Sequence, residues 1–167
     1  MHSPTSPDAG PSAARTRVRR FTLAATALGS ALAFIDTTVV VVALPTIERD
    51  LELGLTGQQW VVLSYSIALA AFYLVAGAAG DRFGRRRMFV WGIVGFAAAS
   101  ALAGVAPNEG LLVLARALQG VAGAFLTTNS LALLRATYGR DAGRAIGLWT
   151  ALTGAAIVAG PPIGGAL

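Results

Sequence analysis

Two charged residues stand inside stretches that are otherwise apolar. Asp36 interrupts the run Phe21–Leu44, and Arg116 interrupts the run Leu111–Leu134. An ionised side chain near the middle of a bilayer costs roughly 2.5–3.5 kcal/mol on insertion scales, so it faces a polar cavity or a partner. Asp36 lies eight residues inside the outer end of its run, and Arg116 five residues inside the outer end of its own. At about 1.5 Å per residue these depths are roughly 12 Å and 8 Å, close enough for the two side chains to meet. One reading is structural, a pair that neutralises itself or a carboxylate held near the interface. The other is functional: a carboxylate favoured by a guanidinium and disfavoured by burial can take up and release a proton.

The neighbours of the two charges keep both readings open. Thr26, Ser30, Ala33 and Thr37 share a helix face with Asp36, and Gln119, Gly120, Gly123, Thr127 and Ser130 continue a stripe from Arg116. Small and hydroxylic residues at this spacing line a cavity or let helices approach closely. Two further features lie elsewhere. Gly77-Ala78-Ala79-Gly80-Asp81-Arg82-Phe83-Gly84-Arg85-Arg86-Arg87 reads as a tight turn in which Asp81 caps the following helix. Gly160-Pro161-Pro162-Ile163-Gly164-Gly165 must kink a helix, admit a neighbour to its backbone, or end it.

The elements that position these residues are long apolar helices. Residues 1–20 are rich in Ser, Pro, Ala and Gly, end in arginines, and read as a disordered tail. Five apolar runs follow, at about 21–44, 60–80, 88–106, 111–134 and 145–167, the first stopped by Pro45. Each has the roughly 20 residues that cross a bilayer, and none alternates like a strand. If the tail is cytoplasmic, so are eleven arginines: Arg15, Arg17, Arg19, Arg20, Arg82, Arg85, Arg86, Arg87, Arg135, Arg140 and Arg144. Only Arg49 falls on the opposite side, among Glu48, Asp50 and Glu52. That bias predicts a multi-pass protein of the cell membrane with a cytoplasmic amino terminus. A cleaved signal peptide at Arg15–Ala33 is the competing reading of the start, but the apolar run continues past Ala33.

Composition removes other classes. Of the 167 residues, 55% are hydrophobic and 13% charged, against about 25% charged in soluble domains. No cysteine is present and the one histidine is His2, so thiolate or histidine metal centres lack material. With no intramembrane histidine, paired carboxylates or serine–base pair, no catalytic site is expected and the chain does not read as an enzyme. Its arginines sit in short loops with little aromatic interleaving, which speaks against nucleic acid.

Taken in order, these features resemble the drug:proton antiporters of the major facilitator superfamily, most closely the fourteen-helix group. Ile35-Asp36-Thr37-Thr38 through Pro45 resembles its first-helix motif, and Gly77 to Arg87 the signature between helices two and three. Leu112 to Ala124, with Arg116, Gln119 and Gly120, resembles the fourth-helix motif. Gly160-Pro161 with Gly164-Gly165 resembles the fifth-helix antiporter motif. Val41 stands where the first motif has Asn, Ala79 where the loop has Leu, and Ala122 where the fourth-helix motif has Gly.

The resemblance implies an all-α membrane fold, with five transmembrane helices forming part of the amino-terminal half of a transporter whose two halves rock about a midplane site. It implies that Asp36 and Arg116 couple protons to substrate, with protons as the coupling ion and no other cofactor. It implies that Gly77, Asp81, Arg82, Gly84, Arg85 and Arg86 form a cytoplasmic gate, and that Gly160, Pro161, Gly164 and Gly165 shape a pivot or seal. The expected partners are the lipid bilayer, a small amphiphilic substrate, and the missing carboxy-terminal helices. On this view the chain is a truncated efflux antiporter unable to transport alone. Trp60, Tyr65 and Tyr73 would suit a flat or cationic amphiphile. The alternative is a small membrane scaffold, or a non-functional remnant of a transporter gene, for which Asp36 would be dispensable.

Overall fold

The computed structural model describes residues 13–164, with side-chain surroundings through Val158. Its helices are α1 (Ala13–Leu51), α2 (Leu55–Phe83), α3 (Arg85–Gly104), α4 (Glu109–Tyr138) and α5 (Ala142–Gly164), with one 3-10 turn at Gly139–Asp141. Four stretches are long and apolar enough to cross a membrane: α1, α2, α3 and the joined run Glu109–Val158. This differs from the expected five spans because only a three-residue turn separates α4 from α5.

Helix α1 is longer than expected at both ends. Residues 13–20, read as part of a disordered tail, are helical; residues 1–12 lie outside the described residues. Alanine and arginine are strong helix formers, and tertiary contacts hold this turn in place. Tyr138 Oη donates to the Arg19 carbonyl at 2.8 Å, and Arg19 pairs with Asp141 at 3.2 Å. Pro45, expected to stop the helix, lies inside it. Proline forfeits one backbone bond, but Ile47 and Leu51 beyond it pack against buried Leu53, Val61 and Leu112. The helix then closes through Leu53 N–H donating to the Glu48 carbonyl at 3.0 Å, with Glu52 left-handed at φ 51°. This is the six-to-one bond of a Schellman ending, built without the usual glycine.

The loop expected at 81–87 is also absent. Helix α2 runs to Phe83 and α3 begins at Arg85, so Gly84 alone makes the turn. Its φ of 98° and ψ of 121° lie in a region that only glycine enters readily. With no loop to place it there, Asp81 does not cap α3; it sits in the last turn of α2.

Helix α4 is the centre of the bundle and packs on every other helix, while α5 lies along α1. Asn108 starts α4 by accepting from Leu111 N–H at 3.0 Å. The stripe on α4 proves to be a seam over part of its course. A side chain at Gly120 would meet the Tyr65 carbonyl of α2, so the two backbones touch. Trp149 of α5 packs with Leu134 and Leu131 of α4, which requires the chain to reverse at Gly139–Asp141. Large apolar side chains such as Leu28, Leu74, Trp91 and Val158 are exposed on the outside. An apolar exterior of this kind is stable against lipid and not against water.

Candidate functional site

Asp36 and Arg116 meet inside the bundle. Arg116 Nη1 donates to Asp36 Oδ2 at 2.5 Å, with the arginine side chain 2% exposed and the aspartate 19%. Four helices build the surroundings. From α4 itself, Gln119 Oε1 accepts from Arg116 Nη1 at 2.8 Å. Gln119 Nε2 in turn donates to Asp36 Oδ1 at 2.8 Å and to Ser100 Oγ of α3 at 2.7 Å. From α2, the Val61 carbonyl accepts from Arg116 Nε at 3.3 Å, and the Tyr65 ring lies 4.6 Å from the guanidinium carbon. The carboxylate is therefore bridged on both oxygens, and the guanidinium has acceptors on two sides and an aromatic face on a third.

Local sequence explains the geometry. Residues 116 and 119 are three apart on a helix and so share a face. Arg116 can be buried because each of its contacts replaces water: a charge, an amide, a backbone carbonyl and a ring quadrupole. Among the described residues, the buried side-chain N and O atoms left without a partner are Arg19 Nε and Thr128 Oγ1. The network itself leaves none. Its exposure is one-sided: Asp36 keeps partial access while Arg116 is almost wholly buried.

The remaining residues named from sequence lie elsewhere. Gly120 is adjacent to the network but faces α2. Asp81 is sixteen residues beyond Tyr65 on α2, about 24 Å along the helix axis at 1.5 Å per residue. There its Oδ1 accepts from Arg85 Nη2 at 2.9 Å and from Nε at 3.2 Å, and Arg85 Nη1 reaches the Ala132 carbonyl of α4 at 3.3 Å. Gly77, Asp81 and Arg85 line a cavity of about 450 Å³ that also holds Tyr73, Arg135 and the unpartnered Thr128. Arg82 stacks near Phe83 at 5.6 Å, and Arg86 is exposed. Gly160, Pro161 and Gly164 fall within helical backbone whose surroundings lie outside the described residues, as does Gly165 altogether. Of the aromatics, Tyr65 stacks on Arg116, Tyr73 lines the Asp81 cavity, and Trp60 is 49% exposed on the surface.

Sequence reasoning missed two members of the network. Ser100 is one small polar residue in an apolar run and carries no distinguishing spacing. The Val61 acceptor is backbone, which no side-chain pattern reveals. Ser30 and Ser130, read only as parts of stripes, bond to each other between α1 and α4 at 3.1 Å.

Comparison with known proteins agrees with this architecture. The Major Facilitator Superfamily profile matches residues 26–167. The chain is 42% identical over 147 residues to the tetracenomycin C resistance and export protein of Streptomyces glaucescens, covering 87% of this chain and 27% of that protein. It is 45% identical over 160 residues to the multidrug efflux pump LfrA of Mycolicibacterium smegmatis, covering 94% and 32%. With the multidrug resistance protein Stp of Mycobacterium tuberculosis it shares 40% identity over 153 residues, covering 90% and 28%. The chain thus spans about 28% of the length of such relatives. All-helical among its described residues, it is a multi-pass membrane protein that resembles drug efflux transporters, and it belongs to the Major Facilitator Superfamily.

Proposed function

We propose that these helices form the first part of the amino-terminal half of a proton-coupled exporter of small amphiphilic, cationic compounds, and that Asp36 is its proton-exchanging group. The observation that carries this reading is the network itself: a carboxylate with one-sided access, tied to a buried arginine through charge and through Gln119. With Asp36 ionised, the pair is neutral. With Asp36 protonated, Arg116 is an uncompensated cation held by the Val61 carbonyl, Gln119 and Tyr65. That leftover charge repels a cationic substrate about 6 Å away by roughly 3 kcal/mol at an effective dielectric near 20. Proton and cation therefore compete for one negative charge, which is the condition for exchange. The export direction and drug-like substrate follow the relatives' names.

The topology proposed is five crossings with the amino terminus in the cytoplasm. A straight helix of the length of Glu109–Val158 would span about 75 Å, far more than the roughly 30 Å hydrocarbon core. The reversal at Gly139–Asp141 instead supports reading α4 and α5 as a pair of crossings. The arginine asymmetry supports that orientation. The Asp81–Arg85 pair and its link to α4 then lie at the cytoplasmic end, where they serve as one side of a gate.

Transport by everted membrane vesicles carrying the native gene product tests the proposal. An imposed pH gradient should drive uptake of a fluorescent planar cation, and Asp36→Asn should abolish the pH-driven component while leaving the protein in the membrane. Undiminished pH-driven uptake by the variant would sink the assignment of Asp36.

A further inference from the structure

Several hydroxyl side chains on these helices return their hydrogen to their own backbone. Thr37, Thr127, Ser130 and Thr153 each donate to the carbonyl four residues earlier, at distances between 2.8 and 3.0 Å. That is the ordinary habit of a serine or threonine inside a helix. Ser100 of α3 departs from it. Among the described residues its hydrogen bond is the one it accepts from Gln119 Nε2, at 2.7 Å. The hydroxyl is turned across the interface toward α4 and away from its own helix.

The consequence runs through Gln119, which is 1% exposed and so makes its bonds within these helices. Arg116 has only donors to offer, so the carboxamide oxygen must face it, and it does, at 2.8 Å. The nitrogen faces the other way with two hydrogens. One goes to Asp36 Oδ1 at 2.8 Å and the other to Ser100. Asp36 thereby meets a donor on each oxygen, Gln119 on Oδ1 and Arg116 on Oδ2. Both bonds are strongest to a charged carboxylate and weaken when a proton replaces the charge. Without the Ser100 oxygen, one Gln119 N–H is left in a buried place with no acceptor. The carboxamide can relieve this by rotating, which draws its other N–H off Asp36. Ser100 thus acts on Asp36 without touching it.

We propose that Ser100 is a positioning residue for exchange at Asp36: by accepting from Gln119 it keeps the carboxamide nitrogen on the carboxylate, and so favours a bound cation over a bound proton. This rests on the reading of Asp36 as the exchanging group. The charged or titratable groups that face Asp36 are Arg116 of α4 and the Tyr65 phenol of α2. Helix α3 carries its arginines in its first turn, about 20 Å from Ser100 along the axis at 1.5 Å per residue. Arg144 is likewise in the first turn of α5. On α1 itself the nearest charge is Glu48, about 18 Å along the axis. Replacing Ser100 alters none of these groups.

Binding of a fluorescent planar cation to the purified native gene product, measured at a series of pH values, tests the proposal. In the unaltered protein, binding should weaken as the pH falls. Ser100→Ala should match it at the alkaline end, where no proton competes. At the acid end the variant should bind roughly fivefold more weakly, the factor that one hydrogen bond of ordinary strength supplies. Alanine is the better helix former, so a loss of this kind belongs to the acceptor and not to the helix. Ser100→Thr, which keeps the hydroxyl, should restore binding at every pH. In a Gln119→Met background Ser100→Ala should have no further effect, since the residue it acts through is gone. If Ser100→Ala does not fold, Ser100→Cys, whose thiol is a weak acceptor, should show a smaller step in the same direction. A profile for Ser100→Ala that coincides with that of the unaltered protein overturns the proposal. So does weakening by one factor at every pH, or a full effect without Gln119, either of which would make Ser100 a packing residue only. These results leave the Asp36 reading standing. Binding by the unaltered protein that does not change with pH overturns that reading, and the role given to Ser100 with it.

Discussion

At the scale of single residues, the Asp36–Arg116 pair is a device for placing charge in a membrane, and a weak source of stability. Desolvation of both ions offsets much of their attraction, whereas removing one partner leaves a buried charge and typically costs about 3–5 kcal/mol. Asp36→Asn should therefore lower thermal stability in detergent by about 3 kcal/mol, and Arg116→Gln by less than that, because a lone Asp36 keeps access to water. Combining the two should cost less than the sum, and a double-mutant cycle measures the coupling. Arg116→Lys should not rescue. An ammonium cannot supply the spaced donors that reach Asp36, Gln119 and the Val61 carbonyl together. The meeting of Asp36 and Arg116 was legible in the sequence because depth along a helix is simple arithmetic and isolated charges in apolar runs need partners. Ser100 and the Val61 carbonyl were not legible, since hydrogen-bond acceptors supplied by backbone or by a solitary serine leave no periodic trace.

At the scale of elements, helix existence was legible and helix ends were not. Apolar length decides that a helix forms, but where it stops depends on contacts made after it has formed. Pro45 illustrates this: its local preference to end α1 is outweighed by the packing of Ile47 and Leu51. The same holds at Arg19, whose tie to Tyr138 and Asp141 carries helix into a stretch of polar composition. Two substitutions test the turn chemistry. Glu52→Gly should raise stability by about 1 kcal/mol, because Glu52 holds a left-handed φ that costs other residues roughly that much. Gly84→Ala should do the reverse by a similar amount, as its φ of 98° is unsuited to any L side chain. Thermal unfolding in detergent reads both. The α2–α4 seam is less forgiving: Gly120→Leu should cost about 3 kcal/mol or more, since its Cβ would collide with the Tyr65 backbone rather than with a movable side chain.

At the scale of the whole molecule, helix α4 organises the bundle, and the network and the Asp81–Arg85 pair lie on opposite reaches of its surroundings. Arg116 and Gln119 serve one end, and the Ala132 carbonyl, which accepts from Arg85, serves the other. Helix α4 therefore touches both the Asp36 network and the Asp81–Arg85 turn. The absence of cysteine from the sequence makes topology direct to measure. A single cysteine at Arg140 should react with an impermeant maleimide only from the cytoplasmic side, and one at Pro107 only from the outside. The central claim, that substrate and proton compete for Asp36, is tested most directly by proton release on binding. The purified native gene product, weakly buffered and taken through a series of starting pH values, would be mixed with a cationic substrate while a pH indicator is followed. The account predicts up to one proton released per substrate bound, and none from Asp36→Asn. Undiminished release from that variant, or binding by the unaltered protein with no release at any pH, would contradict it.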